Sequence, residues 1–163
     1  MRKSLAALLL LLIAVPCVQA AGDPFWGTWV MDVKKSKYPP GVPLPKAMRV
    51  TMEAPPDGSE GVHYKSEIEY QDGKKSETEY TNDYTGVARV VVTNRGFTTP
   101  VALERPDLNT VVATYARGKD VLATSRRVVS KDGRTMTITT TSNDKSNKRV
   151  VTIGHYVRAD RKP

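Results

Sequence analysis

Residues 65–80 read KSEIEYQDGKKSETEY, two alternating segments on either side of Gln71-Asp72-Gly73. Setting those three residues in a hairpin loop, with Gly73 at the left-handed bulge position, pairs Glu69 with Lys75, Lys65 with Glu79 and Tyr64 with Tyr80. Opposite charges then face each other on one side of the ribbon. The same side carries the like-charge pair Glu67 and Glu77, which only water tolerates, so this side points outward. Tyr64, Ile68, Thr78 and Tyr80 gather on the inner side. A slip of one residue would put Glu77 opposite Ile68, so the pattern sets its own register.

The same period of two extends in both directions. From Phe25 onward no stretch places apolar residues at helical spacing over three turns, while alternating, β-branched and aromatic segments recur between turn signals. The expected strands are Trp26 to Val33, Ala47 to Ala54, Val62 to Tyr70, Lys75 to Thr81, Ala88 to Thr93, Val101 to Arg105, Thr110 to Ala116, Val121 to Val129, Thr135 to Thr141 and Arg149 to Arg158. So many short strands in one domain predict an all-β fold, an antiparallel β-barrel of about eight to ten strands. Between the first two strands, KKSKYPPGVPLPK carries Pro39, Pro40, Pro43 and Pro45. It is expected to run as an extended crossover and not as a helix. The similar segments SEIEY and SETEY are read as two strands of one hairpin and not as a repeat.

A second hairpin lies in RRVVSKDGRTMTITTT, residues 126–141. The same three-residue loop chemistry at Lys131-Asp132-Gly133 pairs Val128 with Met136 and Arg126 with Ile138, and leaves Arg127 on the other side. This register places Arg126, Met136 and Ile138 on the apolar face.

The chain opens MRKSLAALLLLLIAVPCVQA: two cations, an apolar run from Leu5 to Val15, and small residues closing at Ala20. This is the layout of a cleavable signal peptide over residues 1–20, with a single β-barrel domain over 21–163. The run is broken by Pro16 well short of the roughly 20 apolar residues a membrane-spanning helix needs, so no stable membrane span is expected. Proline directly before Cys17 fits poorly with a lipoprotein signal. The expected location is periplasmic or secreted. Cys17, the one cysteine, leaves with the signal, so the mature domain has no disulfide and must hold together by burial and strand pairing. The formal charge of +8 falls by the two charges of Arg2 and Lys3 on cleavage. Lysines and arginines are interspersed with acids and the chain is exported, so nucleic acid is not an expected partner; a basic surface favours anionic ligands or envelopes.

No residue set nominates a reaction. Glu67, Glu69, Glu77 and Glu79 fall on the solvated outer face, where nothing separates the pKa values of a carboxylate pair. His63 and His155 lie far apart without ligand spacing, so no metal is expected. No serine sits in a Gly-x-Ser-x-Gly elbow and no phosphate-binding glycine pattern occurs, so neither an enzyme nor a cofactor is expected. The threonine-rich strand from Thr135 to Thr141 is read as a β-favouring outer surface. Seven tyrosines and two tryptophans, with one inner cation, are instead how a barrel would hold an apolar or amphipathic ligand with an anionic head. The candidate ligand-binding residues are Tyr64, Tyr80, Arg126, Met136 and Ile138. The rival reading is a protein interaction module, a protease inhibitor or envelope-stability factor, whose barrel is solid and whose loops Tyr38 to Pro45 and Ser142 to Lys148 make the contacts.

The first strand, FWGTWVMDV, carries Gly27-Thr28-Trp29. It resembles the Gly-x-Trp signature that opens the barrel of lipocalins and of the wider calycin group, which includes fatty-acid-binding proteins. In that group the tryptophan closes one barrel end and a basic residue near the last strand packs over it. The resemblance therefore gives Gly27, Trp29 and Arg158 structural roles. The order GTW, KSKYPPG, SKDGRTMT and a final strand also looks like small exported bacterial proteins described as lipocalin-like. Asn82-Asp83-Tyr84 resembles the Thr-Asp-Tyr element of lipocalins but comes early in the chain, no helix follows the barrel, and prolines stand where fatty-acid-binding barrels have a helical pair. The resemblance implies a non-catalytic barrel binding a small hydrophobic or amphipathic ligand.

Overall fold

A computed structural model describes residues 22–93, 99–144 and 146–159. The proposed signal peptide falls outside them. Ten antiparallel strands form one sheet: β1 (Gly27–Met31), β2 (Pro45–Glu53), β3 (Val62–Tyr70), β4 (Lys75–Asn82), β5 (Val92–Thr93), β6 (Val101–Asp107), β7 (Thr110–Arg117), β8 (Asp120–Val129), β9 (Thr135–Asn143) and β10 (Arg149–Arg158). Their order is β5-β4-β3-β2-β1-β10-β9-β8-β7-β6, so each strand pairs with its sequence neighbour except where β1 meets β10 and where β5 and β6 form the two edges. No helix occurs among the described residues.

The sheet curls until its edges meet. The side chain of Asn82, at the end of β4, donates to the carbonyl of Val101 on β6 at 2.7 Å. Arg89 and Val101 exchange two backbone hydrogen bonds of 2.8 Å each. That contact explains a shortened strand: the expected strand from Ala88 to Thr93 keeps only Val92–Thr93 on β4, because the chain before it is drawn across the seam to β6. In place of a strand, Asn82-Asp83-Tyr84 begins the turn that starts this crossing, with Asp83 accepting from the Thr85 amide at 3.0 Å.

The first hairpin has the expected register, with Tyr64 opposite Tyr80, Lys65 opposite Glu79, Glu67 opposite Glu77 and Glu69 opposite Lys75. Gly73 adopts φ +77°, as the bulge position requires.

The second hairpin corrects the sequence reading by one residue. Val129, not Val128, stands opposite Met136, and Arg127, not Arg126, stands opposite Ile138. The loop holds four residues, Lys131 to Arg134, because Ser130 closes it. The Ser130 amide donates to the Thr135 carbonyl at 2.9 Å, and the Ser130 hydroxyl accepts the Thr135 amide at 3.0 Å while donating to Asp132 at 2.6 Å. Tyr70, at the equivalent place in the first hairpin, has no such local acceptor, and there the ladder closes one residue earlier through Lys74. Since side chains alternate, the extra loop residue turns Arg127 inward and sends Arg126 out to solvent, where Nη2 lies 3.5 Å from the Thr110 hydroxyl. Met136 and Ile138 stay inside, as expected.

One end of the barrel is solid. Trp29, Val101 and Leu103 are fully buried there, and Phe25 folds under them, held by the Trp29 indole donating to the Phe25 carbonyl at 2.9 Å. Arg158, opposite Trp29 in the β1–β10 pair, lays its guanidinium 4.2 Å from the Trp29 ring centroid. Its Nε donates to the Gly133 carbonyl at 2.6 Å and its two terminal nitrogens donate to the carbonyls of Trp26 and Pro24. Arg105 adds a second clamp, pairing with Asp23 and facing the rings of Phe25 and Tyr84. Cations here satisfy backbone carbonyls and aromatic faces at once, which is what a guanidinium does better than an ammonium.

Candidate functional site

The other end is open. Inside it lies a cavity of about 500 Å³, entered beside the proline crossover, which runs over the mouth and contributes Tyr38, Val42 and Pro43 to its lining. The crossover is pinned to the barrel by a backbone bridge between Lys37 and Ile153. It is not extended throughout, as the sequence reading had it: the Val42 amide donates to the Pro39 carbonyl at 3.1 Å and Gly41 takes φ +85°, so a turn at its middle folds the strap over the opening.

Arg127 sits deep in this cavity and is 2% exposed. Its Nη2 donates to the Tyr80 hydroxyl at 2.8 Å and to the Tyr115 hydroxyl at 3.2 Å. Its guanidinium carbon lies 4.5 Å from the Tyr64 ring centroid, and Tyr64 is stacked on Tyr80 at 4.7 Å. Among the described residues, the salt bridges formed by side chains do not include Arg127, and its Nε has no hydrogen-bond partner. Burial works against the charged form, but the oxygens of Tyr80, Tyr115 and Tyr64 around it carry the balance upward, so the group is a cation at every physiological pH. Burial likewise pushes the Tyr80 and Tyr156 phenols well above their ordinary value, and that of Tyr64 upward, so these three hydroxyls are neutral. The result, among the described residues, is a buried positive charge held by dipoles and ring faces. An uncompensated charge away from water is costly, and a carboxylate or similar anion entering from the mouth would complete it.

The sequence-named residues are distributed around this centre in different ways. Tyr64 and Ile138 line the cavity, whereas Tyr80 stands behind Tyr64 as the main acceptor for Arg127. Met136 is packed in the core one row deeper, opposite Tyr156. Arg126 is outside, and Arg127 takes the inner position that the sequence reading gave to it. Tyr115, Tyr156 and Met48 were not singled out from the sequence; Tyr156 donates to the Met48 sulfur at 3.1 Å across the cavity floor. The signal that could have found Arg127 is Ser130 two residues before Asp132, a pair able to close a four-residue loop. The two histidines sit on different strands, His63 beside Thr81 and Glu79, His155 beside Thr137.

The loops at the open end carry Lys34, Lys35, Lys37, Lys74, Lys119 and Lys148 against Asp32, Asp72 and Asp144, while loops at the solid end carry Asp57, Glu60, Asp83 and Asp132 against Arg89, Lys131 and Arg134. The mouth is therefore the basic end of the molecule.

No protein-family model and no curated protein matches the sequence. Solved structures do match in shape. A Schistosoma mansoni fatty acid binding protein in complex with arachidonic acid aligns with a TM-score of 0.52 at 18% identity, covering 84% of this chain and 97% of that one. As-p18, an extracellular fatty acid binding protein, aligns with the same TM-score at 14% identity, covering 83% and 96%. The fold is calycin-type. At this identity the likeness speaks for the barrel, and the reading of the cavity rests on its own residues.

Proposed function

We propose that this barrel is a non-catalytic carrier or sensor of a small amphipathic molecule with an anionic head, exported from the cytoplasm and working in the periplasm or outside the cell. The observation that carries the reading is Arg127: a cation 2% exposed, facing a cavity, with phenols and a ring face around it and, among the described residues, no salt-bridge partner. In this reading the anionic head is the missing partner, Tyr80 and Tyr115 orient the guanidinium toward it, and the apolar body lies against Met48, Ile68 and the crossover. A cavity of about 500 Å³ has the size of a small-molecule site. Basic loops around the mouth raise the local concentration of an anionic ligand and speed its capture. The two fatty acid binding proteins of similar shape are consistent with this use of the barrel.

Native mass spectrometry of protein purified from its own host tests the reading, together with thermal shift on adding long-chain carboxylates. A co-purifying anionic amphiphile and stabilisation by added carboxylate are expected. Consistent absence of any small molecule, with no shift by carboxylates, overturns it.

A further inference from the structure

The cavity has two chemically different walls. Met48, Ile68, Tyr70, Pro43 and Pro45, from β2, β3 and the crossover, make one wall apolar and aromatic. Facing them, β8, β9 and β10 present hydroxyls. Ser125 is paired with Thr140 across β8 and β9, and Thr140 with Thr152 across β9 and β10, so the three form one row on the inner surface. Neighbouring strands are about 4.8 Å apart, which makes the row roughly 10 Å long. The next row inward is Arg127, Ile138 and Gly154, two residues down the strands and therefore about 6.5 Å deeper.

Strand-forming tendency does not account for this row, because valine is as favourable in a strand as threonine and would fill an interior position without polar atoms. Ser125 is almost fully buried, and its hydroxyl and that of Thr140 share one hydrogen bond of 2.6 Å. One bond between two hydroxyls uses one of their two protons, so the pair retains a donor and free lone pairs. Thr152 brings a third hydroxyl to the same line, and Ser142 a fourth nearer the mouth.

Building on the reading of Arg127 as an anion anchor, we infer that the ligand is an oxygenated amphiphile: an anion whose body bears hydroxyl or carbonyl groups along one edge and hydrocarbon along the other. The hydroxyl row meets the oxygenated edge about one row above the anionic head, and the Met48–Ile68 wall meets the hydrocarbon edge. A plain hydrocarbon chain would leave the row covered and unsatisfied, which disfavours it.

Two matched probe pairs test this: ricinoleate against oleate, and cholate against its hydroxyl-free parent cholanate, measured by calorimetry on the wild type and on a Ser125→Ala/Thr140→Val/Thr152→Val variant. The ratio of hydroxylated to parent affinity is expected to fall about tenfold or more in the variant for at least one pair, the worth of one satisfied hydrogen bond, with parent affinity kept or raised. Should the triple variant fail to fold, Thr152→Val alone carries the test, with the same direction. An unchanged ratio in a folded variant, with all four probes still bound, overturns this inference and leaves the anion anchor standing. Failure of the wild type to bind any of the four overturns both.

Discussion

Replacing Arg127 by methionine separates what this residue does for stability from what it does for binding. In the empty barrel the guanidinium gains two hydrogen bonds to phenols and a contact with the Tyr64 ring, and it loses its hydration and leaves Nε without a partner. Hydrogen bonds involving a charged group are worth about 1.5–3 kcal/mol each and a desolvated cation–π contact about 2 kcal/mol. Against these stand an effective desolvation cost of several kcal/mol and about 1–3 kcal/mol for the unsatisfied nitrogen. The two sides nearly cancel, so Arg127→Met should change unfolding free energy by no more than about 2 kcal/mol in either direction, much less than a core cavity mutation. Binding is another matter. Removing one partner of a buried charge pair costs about 2–5 kcal/mol, between roughly thirtyfold and several thousandfold in affinity. Urea melts of the empty protein, with calorimetry of oleate and of oleyl alcohol, read both effects. The variant should hold its denaturation midpoint closely and lose oleate binding, while binding the alcohol about as well as before. Equal loss of acid and alcohol, or an unfolding penalty above about 4 kcal/mol, would refute the reasoning by making Arg127 a packing residue.

Three further outcomes follow from the geometry. Arg158→Ala removes the Trp29 contact and leaves the carbonyls of Pro24, Trp26 and Gly133 without their donor, so it should cost about 2–4 kcal/mol, read as a lower urea midpoint at unchanged slope. Gly61 has φ +129° and its would-be Cβ falls 2.2 Å from the Asn82 carbonyl oxygen, whereas Gly58 has φ +73° and open space; Gly61→Ala should cost at least about 3 kcal/mol and Gly58→Ala about 1 kcal/mol, and equal effects would contradict the fold of the β2–β3 connection. Burial raises the phenol pKa values of Tyr64, Tyr80 and Tyr156, and that of Tyr84 to about 12. The unfolded chain thus releases these protons at a lower pH than the folded one, the stability they lend is complete below pH 10 and drains away above it, and the phenolate absorbance of these four tyrosines should appear together with loss of β-sheet circular dichroism and not before it.

The fold was legible wherever a residue pattern constrained itself. Glu67 against Glu77, with lysines beside them, allowed one register, and the β3–β4 hairpin has it. Val62–Tyr70 and Arg149–Arg158 have the expected bounds as well. In the β8–β9 hairpin nothing in the strands discriminates, because Arg126-Arg127 and Val128-Val129 are doublets that look alike in either phase. The choice fell to a serine hydroxyl in the turn, a local contact worth about 1 kcal/mol that period-two reasoning does not weigh. For the same reason the inner arginine was assigned to the neighbouring position. The hydroxyl row was invisible for a different cause: Ser125, Thr140 and Thr152 come from three strands, and only the pairing brings them into line.

On the inner face of β8, β9 and β10, from the solid end to the mouth, close packing gives way to open space row by row. The deepest row, Val129, Met136 and Tyr156, is closed core; the next holds Arg127, Ile138 and Gly154; the third is Ser125, Thr140 and Thr152. Apolar burial, the main source of stability in a chain without disulfides, is thus concentrated at the Trp29 end and falls away toward the opening. Gly154 marks the change. A Cβ there would come 2.8 Å from the Tyr156 ring, so the absence of a side chain lets that ring lie across the floor and reach Met48, and leaves the space above it empty. A larger residue at this position would have to push Tyr156 aside and fill the cavity at once. The room beside Arg127 is therefore made by a backbone position that gives up packing, at the row where the core ends and the polar wall begins.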